Sequence, residues 1–172
     1  MEKNQQNNHT SIAAAIHLLT FGKWIFPLGN LILPIILWTV NSKKSAFIDD
    51  HGKEAVNFQL SMTLYTVILA FVGGGIIIGS MITGGPLLWE QFDSGGFPFA
   101  NDMGIFTTIV ASGFICGTAI VVLSITDFIC TIQAALHARE GRSYKYPLTI
   151  NFVSRQVVPE ATNAPKEPLN NN

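Results

Sequence analysis

The stretch that decides the fold is AVNFQLSMTLYTVILAFVGGGIIIGSMITGGPLLW, residues 55–89, which contains no Asp, Glu, Lys, Arg or His. A hydrocarbon core of about 30 Å needs only some 20 helical residues, so this run is long enough to cross a bilayer. The polar cluster His51, Gly52, Lys53 and Glu54 leads into it without a break. Polar groups inside a membrane are costly unless they meet partners, so we look for function at this entry point.

Composition points to the same class of protein. Charged residues make up 12% of the 172-residue chain, against roughly 25% in an ordinary soluble domain. The hydrophobic share is 48%, and the apolar residues are gathered into blocks, which is typical of membrane spans. A soluble bundle with very apolar buried helices is the alternative. The net charge of −1 predicts no nucleic-acid partner.

The sequence predicts an all-α fold, an integral membrane helical bundle with three main transmembrane helices plus an N-terminal interfacial or hairpin helix. The clearest span is residues 55–83. A second uncharged run, residues 103–126, continues as predicted helix through Asp127 to His137, before Arg139, Glu140 and Gly141 end it. We therefore expect spans at about residues 24–40, 55–83 and 104–137.

The first apolar region, residues 12–40, allows two interpretations, because Lys23, Pro27, Gly29, Asn30 and Pro34 interrupt it. In the favoured one, residues 12–21 lie at the membrane interface and residues 24–40 span the bilayer with proline kinks. In the other, both halves form a shallow hairpin that turns near Gly29 and Asn30 and is buried against protein.

The two terminal segments are predicted to be disordered. Residues 1–11 are rich in Asn and Gln, and their charges, Glu2 and Lys3, make a poor basic region for a secretory signal. Residues 154–172 contain three prolines among small and polar residues. We expect disorder at 1–11, one transmembrane domain at 12–153, and a disordered tail at 154–172.

Basic residues in short loops set which side of a membrane protein faces the cytoplasm. Loop 41–54 and the segment after His137 both contain them, whereas residues 84–102 contain three acidic residues and no Lys or Arg. The sequence therefore predicts a bacterial plasma membrane protein with loop 41–54 and the C-terminus in the cytoplasm. The basic residues are Lys43, Lys44 and Lys53 in the loop and Arg139, Arg142, Lys145, Arg155 and Lys166 near the C-terminus.

Two glycine pairs match the small-xxx-small pattern, which lets helix backbones approach closely where lipid offers no hydrophobic drive. The pairs are predicted to meet in the outer half of the membrane or to pack against another chain. They are Gly75 with Gly79, and Gly113 with Gly117.

A polar stripe enters the second span from its cytoplasmic end. At 100° per residue Glu54, Asn57, Ser61 and Tyr65 share one face of the helix, whereas Lys53 and Gln59 point elsewhere. Asp127 is expected at a similar depth on the antiparallel third span. Its predicted partners are therefore Asn57, Ser61, Lys53 or His51. An ionisable group there serves either as a proton or ion relay or as a hydrogen bond that positions helices.

No catalytic motif, phosphate loop or metal-ligand spacing occurs, so we predict no enzyme, cofactor or metal. Cys116 and Cys130 fall in one apolar segment, where fourteen helical steps separate them by about 21 Å. They are too far apart to bridge each other.

The motif H-G-K-E-A-V-N-F-Q, residues 51–59, and the later Gly141, Tyr144, Tyr146 and Pro147 resemble a bacterial multi-pass membrane family of unknown function. That family is distantly related to the Tic-twenty subunit of the chloroplast protein-import translocon. The resemblance covers residues 12–153 apart from the outer loop. It implies a helper, scaffold or pore-forming role at the plasma membrane.

The leading hypothesis is a scaffold or helper subunit that associates with the lipid bilayer and with other membrane proteins or further copies of itself. It uses the glycine faces for packing and the polar stripe for docking or closure. The alternative is a small transporter or ion channel subunit with a pathway along the stripe and Asp127.

Overall fold

The computed structural model describes residues 2–93 and 103–154. Within these ranges the regular structure is entirely helical, which confirms the all-α prediction. Helix α1 spans Glu2–Leu18 and continues as a 3-10 segment, Leu19–Trp24. Helix α2 spans Gly29–Asn41, and a short 3-10 turn, Ser42–Lys44, leads into α3 at Ala46–Asp93. Helix α4 spans Met103–Arg139.

Two of these helices are long and apolar enough to cross a membrane, over Ala46–Thr83 and Gly104–Arg139. They pack against each other, and Gly73 on α3 faces the Cys116 side chain on α4. In each helix, only 6% of the most apolar 18-residue stretch is buried inside the molecule. The core helix of a soluble bundle would be covered by protein, so this exposure favours a lipid environment.

The first of the three predicted spans, at residues 24–40, is wrong. Helix α2 has 13 residues, which corresponds to about 20 Å, short of the roughly 30 Å that a bilayer core requires. Helical structure is interrupted between Trp24 and Gly29, and Leu28 adopts a left-handed conformation with φ of 63°. Two short helices joined by a turn correspond to the hairpin alternative, not to the favoured single span.

Two glycines make this turn compact. A Cβ atom on Gly29 would lie 2.2 Å from the backbone oxygen of Gly22, and a Cβ on Gly22 would lie 2.5 Å from the Leu33 side chain. Because no side chain fits between these backbones, α2 folds directly against the 3-10 segment.

The structure also differs from the predicted disorder of residues 1–11, since α1 begins at Glu2. The side chains of residues 3–8 are exposed, but the continuation of the helix is packed, with Ala13, Ala14 and Ile16 buried. Extending a helix from a packed turn avoids the cost of nucleation, so a polar segment becomes helical where composition indicates coil.

The buried core lies at one end of the α3–α4 pair. Helices α1 and α2 and residues 142–153, which follow α4, surround the first part of α3 and the last part of α4. We call this region the packed end. Side chains further along α3 and α4, such as Phe71, Ile82 and Phe114, are mostly exposed. Phe58, Ile16, Ile48, Ala55, Ala134 and Ala138 are fully buried at the packed end.

Gly141 directs the chain back along this end. It has φ of 73°, a conformation that favours glycine, and its amide donates to the Ala138 carbonyl as α4 ends. The predicted disordered tail beyond residue 154 and residues 94–102 of the predicted outer loop lie outside the described residues. Residues 84–93, predicted as the first part of that loop, continue α3 instead.

Candidate functional site

The polar residues of the packed end form three clusters. Asp127 organises the first, which we call the ion-pair cluster. Its carboxylate forms a salt bridge with Lys23 and accepts hydrogen bonds from Gln59 Nε2 at 2.7 Å and from Thr131 Oγ1 at 3.4 Å. Asn30 Nδ2 donates to Gln59 Oε1 at 2.8 Å. The cluster therefore connects the 3-10 segment, α2, α3 and α4.

Burial makes each of these partners necessary. Asp127 is 5% exposed and Gln59 is 1% exposed. A buried carboxylate without a counter-ion or donors costs several kcal/mol, roughly 3–5 when one partner of a buried pair is removed. The ammonium of Lys23 and the amide of Gln59 offset that cost.

A pocket of about 430 Å³ opens beside the ion-pair cluster. Lys23, Asn30, Gln59 and Asp127 provide its polar side. Its apolar lining comes from Phe21, Trp24, Met62, Val67, Leu123 and Phe128.

The second cluster is a chain of three aromatic side chains, the His–Tyr chain. His17 Nε2 lies 2.8 Å from His51 Nδ1, and the Tyr146 hydroxyl lies 2.8 Å from His17 Nδ1. A neutral imidazole donates from one ring nitrogen and accepts at the other, so His17 can bridge both neighbours without carrying charge. The chain links α1, α3 and the segment after α4 in the interior.

Burial sets the protonation of this chain. Burial, and secondarily the neighbouring His51, lowers the pKa of His17 to about 3. Burial also raises the pKa of Tyr146 well above its usual value of 10. Desolvation disfavours the charged form in both cases, so both groups are neutral at neutral pH.

The third cluster fixes residues 142–153, the C-terminal strap, along α3. Asn57 Oδ1 accepts hydrogen bonds from the amides of Phe152 at 3.1 Å and Val153 at 2.7 Å, and Asn57 Nδ2 donates to the Val153 carbonyl at 3.0 Å. Ser61 Oγ accepts from the Ile150 amide at 2.8 Å, and Tyr65 donates to the Leu148 carbonyl at 2.9 Å. An irregular segment thereby has its backbone groups satisfied by side chains of one helix face.

The start of the polar motif serves packing. A Cβ on Gly52 would lie 2.2 Å from the Trp38 indole, so only glycine admits this ring against α3. Trp38 Nε1 donates to Asp49 Oδ1 at 2.9 Å, and Lys53 Nζ pairs with Asp49 Oδ2 at 2.6 Å. Glu54, the acidic residue of the motif, is buried and lines a second pocket with Lys145.

The predicted partners of Asp127 are wrong. The prediction used depth alone, and depth placed Asn57, Ser61, Lys53 and His51 near Asp127. The rotation of α3 about its own axis turns the face with Asn57 and Ser61 toward the strap and away from Asp127. Gln59, which the helical wheel places off that stripe, faces Asp127 instead.

Sequence reasoning missed Lys23, Asn30 and His17 as members of a site. The signal was present, since all three are polar residues within the apolar region 12–40. The sequence pattern presents Lys23 and Asn30 only as interruptions of a span. A polar residue in such a run requires a partner, and each has one here.

Among the described residues, the predicted contact between the glycine pairs does not occur. None of the four glycines has another described part of the chain within 4 Å of a Cβ position, apart from its own helix and neighbours. Gly73 contacts Cys116 instead, and both cysteines are free thiols. Packing of the pairs against another chain stays a prediction. The four are Gly75, Gly79, Gly113 and Gly117.

The three clusters connect elements of the packed end that are far apart in sequence. Within residues 2–93 and 103–154, no three His, Cys, Asp or Glu side chains gather as a metal site. The polar side chains bond to one another or to backbone across elements that are far apart in sequence. Such contacts fix the relative positions of helices.

A family model matches residues 8–153 and is described as the magnetosome magnetite crystal formation protein family. The chain belongs to this family. The match ends at Val153, the last strap residue bonded to Asn57, so it covers the packed end and both long helices. The comparisons with curated proteins and with solved structures found no match.

Family membership and the two long apolar helices together identify a membrane-associated bacterial helical protein. The match confirms the coarser part of the predicted resemblance, which is membership of a bacterial membrane-associated family. No relation to the Tic-twenty subunit is shown, and that resemblance stays a prediction.

Removing the strap contacts should expose particular amides. We expect Asn57→Ala to accelerate hydrogen exchange at Phe152 and Val153, and Ser61→Ala to accelerate it at Ile150, because each variant deletes the acceptor of that amide. Each lost acceptor costs about 1–3 kcal/mol. Exchange is measured by mass spectrometry in detergent, with the exposed Asn8→Ala as control. Unchanged protection in both variants would contradict the strap assignment.

Stability should depend on pH through His17. The unfolded chain takes up a proton near pH 6.5 and the native chain near 3, so stability falls as the pH is lowered through that window. The slope approaches about 1.4 kcal/mol per pH unit. The measurement is the unfolding temperature in detergent between pH 7 and 4. His17→Gln should flatten this dependence, while His9→Gln on the same helix should retain it. Equal slopes in both variants would rule His17 out as the cause.

Proposed function

We propose that this protein is a scaffold or helper subunit of the membrane in which magnetite crystals form. It acts by associating with other membrane proteins or with further copies of itself, without enzymatic turnover. The single observation that carries the proposal is a division of the molecule. Polar contacts are satisfied internally at the packed end, whereas the apolar remainder of α3 and α4 is left open.

The first support is the use of the polar motif. Asn57, Ser61 and Tyr65 bind the strap, and His51 bonds to His17. These contacts occupy the stripe that a substrate or an ion pathway would need. A role in closing the packed end accounts for the motif.

The second support is the surface of the open part. Gly75 and Gly79 lie on one face of α3, Gly113 and Gly117 lie on one face of α4, and all four are exposed. Small residues on a membrane helix let a partner helix approach closely. Since neither face is used within the described chain, a second polypeptide is the natural occupant.

The distribution of basic residues supports an orientation with loop 41–54 and the strap on the cytoplasmic side. In this orientation the chain crosses the membrane twice between loop 41–54 and the strap, once in α3 and once in α4. With two membrane helices and a short N-terminal hairpin, the N-terminus belongs on the same side.

Single-cysteine labelling tests this orientation in spheroplasts of a variant lacking Cys116 and Cys130. A cysteine at exposed Lys43 or Ser154 should react with a membrane-impermeant maleimide only after lysis, and one at exposed Asp93 should react before it. The reverse pattern would overturn the proposed orientation.

The scaffold role predicts that Gly75→Leu with Gly79→Leu disrupts complexes without unfolding the chain, because no described neighbour occupies either site. We expect crosslinked complexes in native membranes to fall about fivefold or more, as a lost helix contact of about 1–2 kcal/mol implies. The double variant is also expressed in a magnetite-producing strain from which the strain's own copy of this protein has been deleted. The magnetite crystals of that strain, examined by electron microscopy, should change in number or size. Gly74→Leu, off this face, is the matched control.

Wild-type complexes and crystals in the double variant would sink the scaffold proposal. The rival is a small transporter or ion channel subunit, for which the pocket beside Asp127 is the supporting observation. It predicts ion flux into proteoliposomes that Asp127→Asn abolishes. The salt bridge to Lys23 already neutralises Asp127, and this favours the scaffold.

A further inference from the structure

The pocket beside the ion-pair cluster has two chemically different sides. Asp127 and Gln59 form its buried polar side, together with Lys23 and Asn30. Its remaining lining is mostly apolar. Trp24 stands at its edge with 81% of its surface exposed. A ligand that fits both sides must be an amphiphile.

The position of the pocket along the helices supports the same conclusion. Gln59 and Asp127 lie where the uncharged runs 60–83 and 104–126 begin and end. Each run extends over about 35 Å, enough to fill the hydrocarbon core, so the polar side of the pocket lies at the headgroup level. Val67 and Leu123 lie on the hydrocarbon side of it. Tryptophan is enriched at that boundary in membrane proteins, and Trp24 lies there in this chain.

The accessible charge in the pocket is positive. The Asp127 side chain is 7% exposed, whereas the Lys23 side chain is 30% exposed. An ammonium group has three N–H donors, and the salt bridge to Asp127 leaves others for a ligand. Asn30 Nδ2 uses one N–H on Gln59 and has a second. The head of the ligand should therefore carry anionic oxygen acceptors.

We propose that this pocket binds a phospholipid. A phosphodiester oxygen accepts hydrogen bonds from Lys23 and Asn30, and an acyl chain lies along Met62, Val67, Leu123 and Phe128. The volume of about 430 Å³ falls within the usual range for ligand pockets, roughly 300–1,000 Å³. The bound lipid would join the short α1–α2 hairpin to the two membrane helices at the headgroup level.

The test is native mass spectrometry of the full chain in detergent with phosphatidylglycerol, with diacylglycerol of the same acyl chains, and with glycerophosphoglycerol. We expect one phosphatidylglycerol to bind, and the other two probes to bind about tenfold more weakly or not at all, since each lacks half of the recognised chemistry. Equal binding of diacylglycerol would overturn recognition of the phosphodiester. Equal binding of glycerophosphoglycerol would overturn the assignment to a lipid.

A matched pair of variants locates the site. Thr66 lines the pocket, and its hydroxyl donates to the Met62 carbonyl, whereas Thr83 makes the same kind of bond to Gly79 further along α3. We expect Thr66→Trp to fill the pocket and weaken phosphatidylglycerol binding about tenfold, and Thr83→Trp to leave it unchanged. Both variants keep the salt bridge between Lys23 and Asp127. Their comparison therefore avoids the loss of structure that removal of this salt bridge, for example by Lys23→Gln, would cause.

Wild-type binding by Thr66→Trp would show that the lipid lies elsewhere and would overturn the proposal. The outcome is independent of the scaffold role, because the Gly75→Leu, Gly79→Leu double variant leaves the pocket lining intact and should bind phosphatidylglycerol as the wild type does.

Discussion

The buried carboxylate of Asp127 is the constraint on which the packed end depends. A charge at 5% exposure needs a counter-ion and hydrogen-bond donors. They come from three different elements: Lys23 in the 3-10 segment, Gln59 on α3 and Thr131 on α4. Asn30 on α2 supports Gln59 in turn. Satisfying one acid thereby fixes the N-terminal hairpin against both long helices.

Hydrogen bonds between neutral buried groups also connect separate elements of the packed end. The His–Tyr chain connects α1 to the strap, and Asn57 holds the end of the strap on α3. Glycine admits the closest approaches, of Gly22 to Gly29 and of Gly52 to Trp38. In the open part of α3 and α4, Gly73 faces the Cys116 side chain, but most of the described large apolar side chains face outward. One end of the molecule is thus specified internally, and the other is left for the membrane and its partners.

The composition of the long runs predicted α3 and α4 well, because length and absence of charge alone decide whether a helix fits a bilayer. Composition did not predict the structure of region 12–40. The apolar content of this region resembles that of a membrane span, although Gly22, Pro27 and Gly29 divide it into two short elements. Composition failed also for residues 2–11, which are helical as an extension of the packed part of α1.

The sequence by itself determined the helical class, the two long apolar helices and the presence of a polar stripe, since these follow from local composition and helical periodicity. Tertiary structure alone decided which polar residues meet. Lys23 reaches Asp127 across 104 residues, and Tyr146 reaches His17 across 129. Periodicity gives the face of a helix, but the partner of that face depends on how separate helices rotate against each other. That rotation is set by packing of the whole bundle.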